Sequence, residues 1–312
     1  MPSSEEAYFD HYGDLELQRR MVTDEARTRA FVEAVERLAP GRRVLDLGCG
    51  TGILAMAAAR AGAESVLAID RSPVAQVAAN LVKAHGYGDR VQVLRGDVRE
   101  LEVEPVDLLV SEWLGNFAFV EDMWPAVVSA RDRLLAPKGL LIPGRVRLWI
   151  APVDDSFLYF GEGPGAWRRP VCGFDLSALE RLELGQGHAQ QTKVEPSSLM
   201  GPPVVLTELD AGLAGPDACE FDVEVDVELA RGGSLVGWVA GFDLELAPEL
   251  ELSTRPQAPF THWQQTFLPW PAQTVEAGQC RLRLSHGRHP EVTHTSLCAL
   301  TWGEERIGFH IE

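Results

Sequence analysis

The feature that most constrains this chain is a buried-strand pattern that runs straight into a glycine loop. Val44-Leu45-Asp46-Leu47 is followed at once by Gly48-Cys49-Gly50-Thr51-Gly52, and then by the helical pattern ILAMAAARAGA. Strand, tight turn and helix in that order put the turn at the positive end of a helix dipole. The glycines allow positive φ and close approach of a ligand to the backbone.

The segments after the loop repeat the same theme. SVLAID reads as a strand, SPVAQVAANLVKAHG as a helix, VQVLRGDV and VDLLVSEW as strands, and Glu121 to Leu135 as a helix that ends at Pro137. Such a βαβα succession predicts a doubly wound, Rossmann-like parallel sheet with right-handed crossovers. Beyond Ile142-Pro143 the texture changes to short alternating runs such as VRLWIAPV, FDVEVDVEL and CRLRLSHG, separated by Gly and Pro. Those runs predict antiparallel sheet, a barrel or a sandwich. A length of 312 residues favours two domains, here 1–143 and 144–312. A Gly-, Pro-, Gln- and Ser-rich stretch from Gly161 to Gly201, with one weak helical patch, reads as an excursion from the second.

Charge narrows the partners. With 28 basic and 46 acidic residues the formal net charge is −18, which argues against broad binding to nucleic acid or an anionic membrane. A cationic partner fits better. Glu208 to Glu251 carries twelve carboxylates against one basic residue, Arg231, which reads either as a solvated acidic face or as an attractor for a cation. The strict alternation of Phe221 to Leu229 predicts a strand with Asp222, Glu224, Asp226 and Glu228 on one face. The five cysteines are odd in number and scattered, so neither a disulfide framework nor a zinc site is indicated, and a reducing cytoplasm is expected. The N-terminus lacks a signal-peptide pattern, and no run of about 18 apolar residues occurs to span a membrane.

The glycine loop lacks the third glycine of a dinucleotide site: counted from Gly48 and Gly50, that position is Ile53. An aspartate opening the loop, Asp46, suits a ligand bearing an ammonium group rather than a pyrophosphate. Asp70, at the end of the second strand, is placed to accept hydrogen bonds from a ribose diol. S-Adenosylmethionine offers an amino-acid head, a ribose and a sulfonium, so a class I methyltransferase domain is expected, with Asp46, Gly48, Cys49, Gly50, Gly52 and Asp70 about the cofactor.

Three further segments carry a specific resemblance. Ser111-Glu112-Trp113-Leu114-Gly115-Asn116-Phe117-Ala118-Phe119-Val120-Glu121 resembles the double-glutamate loop of the protein arginine methyltransferases. Phe260-Thr261-His262-Trp263-Gln264-Gln265-Thr266 resembles their Thr-His-Trp loop, and Tyr8-Phe9-Asp10-His11-Tyr12 their cofactor-covering segment. The matches run in order from about Tyr8 to Thr266. The resemblance implies a Rossmann-like domain followed by an antiparallel β-barrel with a dimerisation arm at about 161–199, and a head-to-tail homodimer. It implies cofactor contacts from Tyr12, Met21, Arg27, Asp97, Val98 and Glu112, acceptor contacts from Met123 and Trp263, and a pairing of His262 with Asp24.

Read without the family, Glu112 ends a parallel strand at the edge where such sheets bind ligands, and Glu121 returns after a loop. Two carboxylates converging there repel unless a fixed cation lies between them. A guanidinium is such a cation, always protonated and matched to carboxylates by paired hydrogen bonds. The plain structural alternative places Glu121 at a helix start, where negative charge is favourable. The function implied is methyl transfer from S-adenosylmethionine to arginine in proteins or peptides. A small guanidine acceptor, or a fold kept without turnover, are the competing readings. The chain departs from the family at Gln18, Arg99, Asn116 and Val120. Met21 and Met123 match the methionine pair of the asymmetric-dimethylating members, so mono- or asymmetric dimethylation is expected.

Overall fold

The computed structural model describes residues 13–290 and 295–311. Tyr12 and the rest of the segment from Tyr8 lie outside the described residues. Two helices come first, α1 (Leu15–Val22) and α2 (Glu25–Leu38). An aspartate caps each of them: Asp14 accepts from the Glu16 N–H at 2.8 Å and Asp24 from the Arg27 N–H at 3.1 Å. Such caps satisfy amides that have no partner within the helix.

A five-stranded parallel sheet follows, in the order β3-β2-β1-β4-β5, built from β1 (Arg43–Leu47), β2 (Ser65–Asp70), β3 (Val91–Arg95), β4 (Val106–Val110) and β5 (Leu135–Ile142). Its connecting helices include α3 (Ile53–Arg60), α4 (Val74–Ala84) and α5 (Trp124–Leu134). Leu45, Ala68, Leu108 and Val110 are wholly buried, as expected of parallel strands covered on both faces. The strand order reverses about β1, whose neighbours are β2 and β4, so the loops after β1 and β4 open a crevice there.

Two expectations for this region shift. The helix expected from Glu121 begins at Trp124, because Glu121 to Met123 turn toward the crevice instead. The run Leu135–Ile142, which gave no strand signal through Pro137 and Gly139, is the fifth parallel strand, pairing with β4 from Leu108 to Val110.

The remaining strands are antiparallel: β6 (Arg145–Val153), β7 (Gln190–Thr192), β8 (Val204–Asp210), β9 (Phe221–Leu229), β10 (Gly233–Ala247), β11 (Leu250–Ser253), β12 (Gln265–Val275), β13 (Gly278–Arg288), β14 (Ser296–Trp302) and β15 (Glu305–Ile311). They hydrogen-bond as two sheets, β7-β12-β10-β6-β8 with β11 on β10, and β15-β14-β13-β9. The expected barrel is therefore divided, although β8 adjoins β9 and an isolated bridge joins His188 to His310. Trp302 of one sheet packs on Trp238 and Trp270 of the other, with ring centroids 5.8 and 6.2 Å apart.

Strand β9 alternates as its sequence predicts, with Val227 buried and Asp222, Glu224, Asp226 and Glu228 exposed. Two arginines of the neighbouring β13 offset half of the charge on this acidic face. Arg283 binds Asp222 at 2.6 Å, and Arg281 lies 3.0 Å from Asp226 and 3.3 Å from Glu224. Between β6 and β8 the chain leaves the sheet through α6 (Ser156–Phe160) and α7 (Ala178–Gln186), exposing Phe157, Val171, Phe174 and Leu182.

Candidate active site

The crevice at the end of β1 holds a cavity of about 620 Å³. The glycine loop forms its floor. Gly48, Gly50 and Gly52 all have positive φ, at 75°, 52° and 80°, so a side chain at any of them is strained. A Cβ on Gly50 would stand 2.8 Å from Gln18 Oε1, one on Gly48 3.2 Å from Met123 Cε, and one on Gly52 3.2 Å from Ala78 Cβ. The loop is held by Asp70, whose Oδ2 accepts from the Gly50 N–H at 2.9 Å. Its Oδ1 accepts from the Ser72 N–H at 2.8 Å and the Ser72 hydroxyl at 2.7 Å.

Beneath the loop lies Asp46, 1% exposed, with an Oδ2 that meets no donor among the described residues. Burial, opposed by the Ala55 N–H and reinforced by the charge of Asp70, pushes its pKa up to about 7. The glycine cradle, with Asp70 beside it, fits the amino-acid head and ribose of S-adenosylmethionine, whereas Asp46, expected at the amino-acid head, is buried behind the loop.

Glu112 follows β4 by two residues. Its Oε2 accepts from the Arg27 Nε at 3.1 Å and also from Arg27 Nη2, while Oε1 accepts from the Leu114 N–H at 2.9 Å. Arg27 Nη1 also donates to the Met21 carbonyl at 3.2 Å, so one guanidinium joins both helices to the loop. The chain then doubles back through a Gly115–Ala118 bridge. It returns so closely that a Cβ on Gly115 would stand 3.2 Å from Glu121 Cγ. Glu112 and Glu121 thus line one cavity from the two ends of one loop.

The antiparallel sheets brace that loop. Trp263 Nε1 donates to the Leu114 carbonyl at 2.8 Å, the Thr266 hydroxyl to the Asn116 carbonyl at 3.1 Å, and Gln191 Nε2 to Asn116 Oδ1 at 3.0 Å. The backbone N–H and ring Nδ1 of His262 both meet Asp24 Oδ2.

At the far end of the cavity Arg99 forks onto Asp97, with Nε 2.9 and 3.0 Å from its two oxygens. Arg71 Nη1 lies 3.5 Å from the same carboxylate. The Arg99 hydrogen bonds, partly opposed by burial and aided by the charge of Arg71, hold Asp97 below its usual range.

Of the expected residues, Met21, Arg27, Gly48, Cys49, Gly50, Asp70, Asp97, Val98, Glu112, Glu121, Met123 and His262 all line this cavity. Asp46, Gly52, Asp24 and Trp263 do not. Trp263, expected at the acceptor, is 1% exposed behind the loop because its indole N–H is spent on Leu114. Gln18, Phe31, Arg71 and Arg288 also form the wall. Arg71 was missed although its place next to Asp70 could have found it, whereas Phe31 and Arg288 reach the site only through tertiary packing.

Residues 44–139 match the family model of a methyltransferase domain, and residues 145–296 that of the arginine methyltransferase oligomerization subdomain. The chain is 32% identical over 274 residues to protein arginine N-methyltransferase 1 of Dictyostelium discoideum, covering 85% of this chain and 79% of that one. It is 33% identical over 286 residues to the Schizosaccharomyces pombe protein of the same name, covering 89% and 83%. Among solved structures it resembles the Trypanosoma brucei PRMT1 enzyme-prozyme heterotetrameric complex with AdoHcy. The TM-score there is 0.89 at 28% identity, with 97% of this chain and 100% of that chain covered. Arabidopsis thaliana protein arginine methyltransferase 10 gives a TM-score of 0.84 at 28% identity, with 98% and 100% covered. With both family models matched in order and relatives at 32–33% identity over most of the chain, the chain belongs to the protein arginine N-methyltransferase family.

Proposed function

We propose that this enzyme transfers the methyl group of S-adenosylmethionine to a guanidino nitrogen of arginine in cationic proteins or peptides, and that Glu112 and Glu121 clamp the acceptor. The observation that carries this reading is the return of Glu121 to the cavity already lined by Glu112 and the glycine loop. When bound, S-adenosylmethionine supplies a methyl group on a positively charged sulfur. Gly48 and Gly50 admit its amino-acid end close to the backbone, Asp70 takes the ribose, and Asp97 and Val98 take the adenine edge. Arg27 faces the carboxylate end, and Met21 and Met123 line the same wall.

The acceptor nitrogen is a poor nucleophile because its lone pair is delocalised over the guanidinium. Paired hydrogen bonds to Glu112 and Glu121 draw the positive charge toward the nitrogens they hold and fix the remaining one in line for attack. Their field is set before the acceptor arrives, since Glu112 is already held by Arg27 and the Leu114 N–H, and the loop by Trp263. The proton released after transfer passes to a carboxylate oxygen of either glutamate. His262, bound to Asp24, supports this loop and positions α2.

The two methionines favour mono- or asymmetric dimethylation. The catalytic cleft lies between residues 1–143 and 144–312, and the apolar excursion at 161–199 is a dimerisation arm that pairs two copies of this chain. Net charge −18 disfavours direct binding of nucleic acid. Among the described residues no helix is long and apolar enough to cross a membrane; the scattered cysteines support a cytoplasmic location.

Incubation with labelled cofactor and a panel of Gly-Arg-rich proteins, free arginine and cell lysate tests the assignment. Acid hydrolysis is expected to release label as monomethyl- and asymmetric dimethylarginine from protein. Label found on free arginine alone contradicts it.

A further inference from the structure

The loop that carries Glu112 and Glu121 turns at a two-residue tip. Gly115 and Ala118 exchange backbone hydrogen bonds at 3.1 and 3.0 Å, which leaves Asn116 and Phe117 between them. Each tip residue is anchored differently. Phe117 is wholly buried, with its ring 5.6 Å from that of His286, whereas Asn116 is held by polar bonds from a neighbouring pair of strands.

That pair is β7 and β12, in which Gln191 stands directly opposite Thr266. Residues so opposed project from the same face of the sheet. The Thr266 hydroxyl donates to the Asn116 carbonyl at 3.1 Å, and Gln191 Nε2 donates to Asn116 Oδ1 at 3.0 Å. The same Nε2 lies 2.7 Å from the His262 carbonyl and 3.1 Å from the Trp263 carbonyl, while Oε1 accepts from Arg20 Nη2 at 3.3 Å. Main-chain carbonyls only accept and a guanidinium only donates, so the amide has one orientation. Gln191 is exposed as a residue, yet its head group joins four segments: the excursion at 161–199 that contains β7, the double-glutamate loop, the Thr-His-Trp loop and α1. Neither Asn116 nor Gln191 lines the cavity, so an effect of either on methyl transfer passes through the loop.

We infer that Gln191 is a positioning residue: by fixing Asn116 at the tip of the loop it sets the spacing and direction of Glu112 and Glu121, so that the excursion acts on the site of its own chain. This rests on the clamp reading given above. Without the tether both carboxylates still attract the acceptor, but the guanidinium is held less often in line with the methyl donor. Alignment is felt in the transition state more than in binding, so kcat falls while KM changes little.

The test is steady-state methylation of an arginine-containing peptide by Gln191→Ala, Asn116→Ala, their double variant and Gln191→Glu. Calorimetric binding of S-adenosylhomocysteine and mass by light scattering accompany each, and Asn116→Ala reads the same contact should Gln191→Ala not fold. Expected for Gln191→Ala is a kcat about fivefold below the parent, with KM and S-adenosylhomocysteine affinity within about twofold and the mass unchanged. The double variant is expected to be no slower than Gln191→Ala, since both substitutions remove one shared contact. Gln191→Glu keeps the acceptor for Arg20 but sets acceptor against acceptor at Asn116 and both carbonyls, and is expected to lose at least as much as Gln191→Ala. Parental kcat in Gln191→Ala or Gln191→Glu, losses that multiply in the double variant, or a fall in kcat matched by lost cofactor binding or a changed mass, each overturns the inference. Glu121→Gln, assayed alongside, separates the two levels: full turnover there removes the clamp reading itself, while its loss together with parental kcat in Gln191→Ala removes only the role of Gln191.

Discussion

Asp24 and His262 meet through a single oxygen: the backbone N–H and the ring Nδ1 of His262 lie 2.7 and 2.8 Å from Asp24 Oδ2, across 238 residues of sequence. The other oxygen of the same carboxylate caps α2 through the Arg27 N–H. One buried side chain therefore sets the start of the helix whose Arg27 reaches Glu112 and the loop whose Trp263 supports Leu114.

Asp24 gives an acid-dependent contribution to stability. Burial raises its pKa, but the hydrogen bonds from His262 and Arg27 outweigh burial and hold it below the ordinary value of 3.8. A carboxyl depressed in the folded state stabilises above its unfolded pKa, and that contribution is lost as pH falls through the folded value. Asp24→Asn is expected to lower Tm by a few degrees at pH 7, on the order of 1–2 kcal/mol, with the gap to the parent closing at acid pH as the folded carboxyl takes up its proton. Thermal melts at pH 7 and at acid pH check this; a gap that stays constant contradicts it.

His286 acts in the same direction at higher pH. Burial among Phe117, Phe119 and Phe221, only partly offset by the Cys219 carbonyl, lowers its pKa from 6.5 to about 4. Between these values the unfolded chain takes up a proton that the folded one does not, so stability falls as pH drops from about 6.5 toward 4. Between pH 8 and 5 the loss from this one group is on the order of 2 kcal/mol. Urea titrations of His286→Phe are expected to show a shallower decline over that range, and an unchanged decline removes His286 as its source.

The proposed arm predicts an assembly. Phe174 and Leu182 are 70% and 65% exposed, more than isolated surface apolar residues require when Phe157 and Val171 lie on the same excursion. Phe174→Asp/Leu182→Asp is expected to convert a dimer to a monomer by light scattering and to lower methylation at least about tenfold. An active parent that is already monomeric contradicts the arm.

The glycine loop, Asp70 and the alternating β9 were legible because each depends on local periodicity or on a backbone conformation that few residues adopt. β5 was not, since its pairing with β4 overrides the Pro137 and Gly139 signals. The acidic stretch from Glu208 to Glu251 misleads in one dimension: its partners Arg145, Arg147, Arg281 and Arg283 lie outside it in sequence and beside it in space. Arg288 was invisible for the same reason, because only the antiparallel pairing of β13 with β9 brings it near the double-glutamate loop. Trp263 was recognised as belonging to the site, but which side of the loop it occupies is a matter of packing that spacing does not encode.

The most direct measurement is turnover and cofactor binding in Glu112→Gln and Glu121→Gln. Either substitution keeps the side-chain shape and removes the charge proposed to grip and polarise the acceptor. Turnover on an arginine-containing peptide is expected to fall at least about a hundredfold in each, with Glu121→Gln binding S-adenosylhomocysteine as the parent does. Parental turnover in either variant contradicts the account.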